Sequence, residues 1–153
     1  MKQEDKLLLL KDLSARLPYY PKCEIIDELR VINNEPNPSY IECLFPRHLE
    51  IFYFHNNFTI KPYLRPISSM TDEEMDMLFD ILHIDKDGKD DDWIKINDVY
   101  GIKFFFPTGR WVENVAEAYD YLNSIHIDYR GLIPKGLAIE VTEENNPYEK
   151  FNS

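Results

Sequence analysis

Leu7, Leu10, Leu13 and Leu17 recur at spacings of three, three and four, which sets them along one face of a helix spanning about residues 4–17. Pro18 closes that helix, because the residue before a proline is driven out of the helical region. Leu8 and Leu9 widen the apolar stripe, so the helix is expected to meet more than one neighbour. The pattern then shortens. Residues 23–26, 29–32 and 40–45 predict strands, with Asn33-Asn34-Glu35-Pro36-Asn37-Pro38 as an intervening loop. Residues 49–55, dense in aromatic and β-branched side chains, predict a further strand. Asn56-Asn57 tolerates the positive φ angles of a tight hairpin turn, which predicts an antiparallel return over residues 58–60.

Lys61-Pro62-Tyr63-Leu64-Arg65-Pro66 reads as an extended connector, since two prolines forbid a helix and disfavour a central strand. Thr71 and Glu74 have the spacing of a capping box, and Asp72 and Glu73 complement the positive end of the helix it opens. Met75, Leu78 and Leu82 give that helix its apolar face. A polar loop over residues 85–92 leads to two strands, 93–96 and 102–106, around a turn near Gly101, and Pro107 stops the second. Trp111, Val115, Tyr119, Leu122 and Ile125 keep helical spacing over residues 110–125. A turn at 129–136 and a short strand at 137–141 follow. The pattern predicts a single α+β domain over residues 1–141, with an antiparallel-rich sheet and about three helices packed on it. Residues 142–153 are polar and predict a frayed C-terminal tail.

Composition supports a folded domain. The 153 residues are 44% hydrophobic and 14% aromatic, enough for a core without disulfide staples. The run Leu7–Leu10 is too short for a signal-peptide core or a membrane span and follows Glu4 and Asp5, which predicts a cytoplasmic protein. Cys23 and Cys43 make neither a disulfide framework nor a zinc site by themselves and are expected to be free thiols.

Charge changes the picture more. The formal net charge is -11. Residues 71–100 hold eleven acidic residues and three lysines, a net of -8, whereas residues 51–70 hold Lys61 and Arg65 and no acid at all. Such a chain repels phosphate backbones, so direct nucleic-acid binding is not expected. The acidic loop, with Asp85, Asp87, Asp90, Asp91 and Asp92, reads either as a solvated segment or as a docking surface for a basic protein partner.

Catalytic and cofactor signatures are sparse. Counted from Asp85, the loop places Gly88 at position 4 and Ile96 at position 12, which fails the EF-hand pattern, so no metal site is expected. His48, His55, His83 and His126 lack the i, i+4 spacing of a helical zinc site. Five glycines form no phosphate-binding loop, dinucleotide fingerprint or nucleophile elbow. No catalytic residue and no cofactor is assigned. Arg65 and Arg130 each sit in a turn-rich segment near a tyrosine, where a guanidinium can hold a carboxylate bidentately. With Asp128 and His126 they form the candidate anion site, or else a set of internal structural contacts.

The stretches Lys61-Pro62-Tyr63-Leu64-Arg65-Pro66-Ile67-Ser68-Ser69-Met70-Thr71-Asp72-Glu73-Glu74 and Ile127-Asp128-Tyr129-Arg130-Gly131-Leu132-Ile133-Pro134-Lys135-Gly136-Leu137-Ala138, together with the opening from Lys6 to Pro18, resemble an uncharacterised family of short proteins from gut Bacteroidales genomes and their phages or integrated elements. The resemblance covers about a quarter of the chain and implies context only, a cytoplasmic protein linked to a phage or mobile element. Three readings follow. The leading one is a non-enzymatic protein-interaction module that modulates a host or element-encoded protein through its acidic and aromatic surface. The second is a small enzyme or small-molecule binder with its site around Arg65, Arg130, His126 and Asp128. The third is a virion or assembly component.

Overall fold

The computed structural model of the protein describes residues 1–83, 93–97, 101–105 and 114–148. It is a single α+β domain. Helix α1 (Gln3–Arg16) runs into a 3-10 turn at Leu17–Tyr19, then β1 (Lys22–Asp27), β2 (Val31–Ile32), β3 (Glu35–Pro36), β4 (Ser39–Cys43), α2 (Pro46–Phe54) and β5 (Phe58–Leu64) follow. A second 3-10 turn at Ile67–Ser69 leads into α3 (Asp72–Leu82), β6 (Trp93–Asn97), β7 (Gly101–Phe105), α4 (Val115–Ser124) and β8 (Ile139–Glu140). The main sheet has the order β4-β1-β5-β8. Its first two pairings are antiparallel and the β5–β8 pairing is parallel. Strands β6 and β7 pair antiparallel with each other, Trp93 opposite Phe105. Among the described residues no helix is long and apolar enough to cross a membrane.

The described helices number four rather than about three, because residues 49–55 do not form a strand. They lie mainly in α2. Pro46 occupies its first turn, where a missing N–H costs nothing, and the Phe45 N–H donates to His48 Nδ1 at 3.0 Å, satisfying a donor at the helix start. His48 and Phe52 face inward and are each 2% exposed, while Ile51, Tyr53 and Phe54 face outward. The burial period is thus helical, and it overrides the β propensity of the aromatic residues. The expected Asn56-Asn57 hairpin turn disappears with the strand. The same chemistry serves elsewhere. Asn33 and Asn34, at φ 53° and 65°, form the two-residue turn between β2 and β3, a geometry that needs positive φ at both positions.

Strand β5 also departs from expectation, since it runs through Pro62 in the middle of the sheet. The bond from Glu28 N–H to Asn57 C=O, with Cys23 opposite Pro62, fixes the parity of the ladder. Pro62 falls where a strand residue turns its N–H away from β1. On that other side β8 begins to pair only at Tyr63, so no ladder bond is lost. Helix α1 is rotated from its predicted phase. Leu9, Asp12, Leu13 and Arg16 are buried, and Leu7 is 53% exposed.

Among the described residues two apolar clusters form the core. One lies between α1, α2 and the sheet around Leu13, Ile25, Phe52 and Ile60. The other lies between α3 and α4 around Leu78, Leu82, Ala118 and Leu122. The segment after residue 141 is held to the domain as far as Tyr148 rather than frayed there. Tyr148 Oη accepts from Lys22 N–H at 3.1 Å and donates to Tyr63 C=O at 2.9 Å. Lys22 and Tyr63 are the next facing pair beyond the β1–β5 ladder, so the phenol completes the ladder where the strands part.

Candidate functional site

The segments around Arg65 and around Ile127 meet in space. Arg65 N–H donates to His126 C=O at 2.8 Å, and Asp128 N–H donates to Arg65 C=O at 2.9 Å, a parallel bridge between Arg65 and Ile127. The backbone of Arg65 is therefore bracketed by residues 126–128, yet the four candidate side chains diverge from this point.

Arg65 turns to the start of α3. Its guanidinium forms a fork with Glu74, at 2.8 Å to Oε2 and 2.7 Å to Oε1, and also donates to Ser69 Oγ and Ser69 C=O. Glu74 Oε1 accepts from Thr71 N–H as well, and Thr71 Oγ1 accepts from Glu74 N–H. The capping box and the arginine fork thus share one carboxylate. The hydrogen bonds from Arg65, with help from Thr71, hold the Glu74 carboxyl down at about 2. Arg65, Ser69, Thr71 and Glu74 form a clamp that fixes the entry to α3.

Asp128 closes the following turn. Its two carboxylate oxygens accept from the N–H groups of Leu132 and Ile133, each at 2.8 Å. Burial pushes this carboxyl up, against the opposing pull of those N–H groups and Arg16. Gly131 and Gly136, both at φ 72°, supply the left-handed corners that the turn needs.

Arg130 turns the other way, into a buried ion cluster with Asp12 and Arg16. Asp12 and Arg16, one helical turn apart on α1, are both 0% exposed. Arg16 donates to Asp12 at 2.7 and 3.1 Å and to Ile127 C=O at 2.8 Å, and its guanidinium lies over the Tyr129 ring at 5.1 Å. Burial works against the Arg16 charge, but Asp12 beside it holds its pKa above the ordinary value. Arg130 Nε lies 3.2 Å from Asp12 Oδ1, a charge contact that lacks hydrogen-bond alignment, and Arg130 Nη2 donates to Tyr129 Oη at 3.2 Å. The i, i+4 spacing of Asp12 and Arg16 is visible in the sequence; their burial follows only from the true phase of α1.

His126, at φ 62°, stacks on Tyr148 with ring centroids 4.1 Å apart and an interplanar angle of 15°. Burial, and then the positive charges of Arg16 and Arg65, push its pKa down to about 4. Its Nδ1 is buried without a hydrogen-bond partner.

Asp128 lines a cavity beside the turn that it closes. That space, about 150 Å³, is bounded by Pro66, Ser68, Ile133 and Glu140 among others. A second cavity of about 240 Å³ lies at the start of α1 and the end of α2. Among the described residues no three His, Cys, Asp or Glu side chains group as metal ligands. Asp85, Asp87, Asp90, Asp91 and Asp92 lie outside the described residues, as does Trp111 at the expected start of the last helix. Cys23 is buried and Cys43 half-buried, both free thiols, and burial pushes the Cys23 thiol well above its usual range.

Exposed apolar residues gather on an arm built by the connection between β1 and β4. Leu29, Val31 and Ile32 are 72%, 59% and 40% exposed, and Ile41 of β4 is 52% exposed. Arg30 braces the arm, donating to Asn37 C=O and lying 4.1 Å from the centre of the Tyr40 ring. Strand β4 is the outer strand of the sheet. The bonds from Asp27 N–H to Pro38 C=O and from Leu44 N–H to Pro21 C=O set its parity. Tyr40 and Glu42 point their backbone groups to β1, so Ser39, Ile41 and Cys43 present theirs at the outer edge. Compared with family models, curated proteins and solved structures, the chain shows no match to any of them.

Proposed function

We propose that the protein is a non-enzymatic interaction module that takes an extended, basic segment of a protein partner along the outer edge of β4 and the arm beside it. The carrying observation is the strand edge at Ser39, Ile41 and Cys43, open among the described residues, with large apolar side chains exposed beside it. An unpaired edge calls for a strand, whose backbone supplies affinity while alternate side chains supply specificity. The net charge of -11 selects a basic segment over a second copy of this chain and speeds its approach. Asp85, Asp87, Asp90, Asp91 and Asp92 belong to this reading through their charge, as attraction for the basic segment.

Further support is that Arg65, Asp128 and Arg130 spend their charges on internal contacts, which favours a scaffold role for them over an anion site. The resemblance supplies the context in this proposal, a cytoplasmic modulator of a host or mobile-element protein. The test is capture of partners from host lysate by the tagged protein, compared with an Ile41→Pro variant. Proline at that position removes one edge donor and blocks an added strand. The reading requires that captured proteins be lost from the proline variant while Ile41→Val retains them. Equal capture by a folded proline variant contradicts it.

A further inference from the structure

The cavity of about 240 Å³ between the start of α1, the end of α2 and the start of β5 is lined by Met1, Gln3, Lys6, Phe52, His55, Asn56, Phe58 and Thr59. None of these carries a carboxylate, although acids outnumber bases by 28 to 17 in the whole chain. Five of the eight come from the acid-free stretch 51–70 noted in the sequence, so the absence of acid belongs to the segment as well as to the pocket.

The donors are of a definite kind. Lys6 Nζ gives one hydrogen to Tyr53 C=O at 3.3 Å and stands 5.2 Å from the centre of the Phe52 ring. An ammonium has three donors, so two are left for a ligand. The amides of Gln3 and Asn56 and the hydroxyl of Thr59 add neutral donors. Phe52 and Phe58, 2% and 5% exposed, give the pocket an apolar floor.

We infer that this cavity binds a small monocarboxylate with an apolar or aromatic body, its carboxylate on Lys6 and its body over Phe52 and Phe58. Lys6, with neutral amide and hydroxyl donors around it, suits a carboxylate. The floor of Phe52 and Phe58 calls for an apolar body beside the charge, which inorganic phosphate lacks. The site is separate from the arm and from β4, so the inference stands independently of the partner-binding reading.

The experiment is a titration of the isotopically labelled full chain with phenylacetate, acetate and inorganic phosphate at neutral pH, read by amide chemical shifts. Phenylacetate should give saturable shifts at Gln3, Lys6, His55, Asn56 and Thr59. Acetate should bind more weakly for want of the apolar body, and phosphate should leave these residues unmoved. Lys6→Met keeps the hydrocarbon stem over Phe52 and removes the charge, so phenylacetate should weaken by about tenfold or more, the loss of one charge-assisted bond. If that variant fails to fold, Thr59→Val and Asn56→Ala test the neutral donors by the same titration. Absence of saturable shifts at these residues overturns the inference. So does undiminished affinity in a folded Lys6→Met protein, and phosphate binding as tightly as phenylacetate overturns the assignment of ligand class.

Discussion

The Tyr148 hydroxyl satisfies the Lys22 N–H and the Tyr63 C=O together, so its loss strands a donor and an acceptor at once. Tyr148→Phe should lower stability by about 1–3 kcal/mol, measured as a shifted urea midpoint at unchanged slope. A shift of only a few tenths would mean that water replaces the phenol freely. The ring beneath it sets a pH dependence. His126 stays neutral in the folded protein down to about 4, whereas an unfolded histidine titrates near about 6.5. As pH falls through that window the unfolded chain takes up a proton that the folded chain refuses, so stability should drop. His126→Asn suits the left-handed backbone at this position and should flatten the melting temperature between about pH 6.5 and 4. Asp128, whose carboxyl is pushed up, acts in the opposite direction in both proteins and cancels in the comparison. Identical pH profiles would show that His126 titrates alike in the folded and unfolded chains. Neither role is legible in the sequence, because both depend on a residue from the polar C-terminal segment packing beside β1 and β5.

At the scale of elements, legibility followed the range of the interactions. Helix α3 was readable because Thr71 and Glu74 cap it within one turn, and Arg65, nine residues before Glu74, lies in the same stretch as its partner. Helix α2 was misread because residues 49–54 offer apolar side chains in either period, and only Pro46 and His48 tip the balance toward a helix. The hairpin turn was assigned to the wrong Asn-Asn pair for the same reason. That arm makes a local prediction. Asn33 and Asn34 hold positive φ, which valine resists at about 1–2 kcal/mol per residue. Replacing both by valine should speed amide exchange at Arg30, Asn37 and the β2–β3 pairs while β1 and β5 keep their protection. Unchanged exchange in the arm would show that the turn does not depend on asparagine.

Across the whole molecule, the Asp12–Arg16 pair ties α1 to Ile127 and Tyr129 and so joins the two apolar clusters. Removing one member leaves a buried charge without its partner, so Asp12→Ala should cost about 3–5 kcal/mol, and the paired change Asp12→Leu with Arg16→Met should recover most of it. A double variant no more stable than Asp12→Ala would mean that the cluster does more than neutralise itself. The cluster was hidden because the leucine pattern was read through Leu7 and Leu10, which turned Asp12 and Arg16 outward. Fold class survived that error, since it rests on the alternation of long-period and short-period segments rather than on the phase of any one helix. The four candidate side chains diverge among the described residues, and charged residues in a turn-rich stretch look alike in sequence whether they bind a ligand or close a turn. Among the described residues the outer edge of β4 is left open, flanked by exposed apolar side chains on a chain of strong negative charge.

The most direct measurement is quantitative capture from bacterial lysate at low salt by the wild-type protein, Ile41→Pro and Ile41→Val, each first shown to be folded by circular dichroism. The account predicts proteins enriched on wild type and Ile41→Val and lost on Ile41→Pro, with extended basic segments protected from proteolysis in the complex. The same proteins retained on Ile41→Pro, or none enriched over the tag alone, would contradict it.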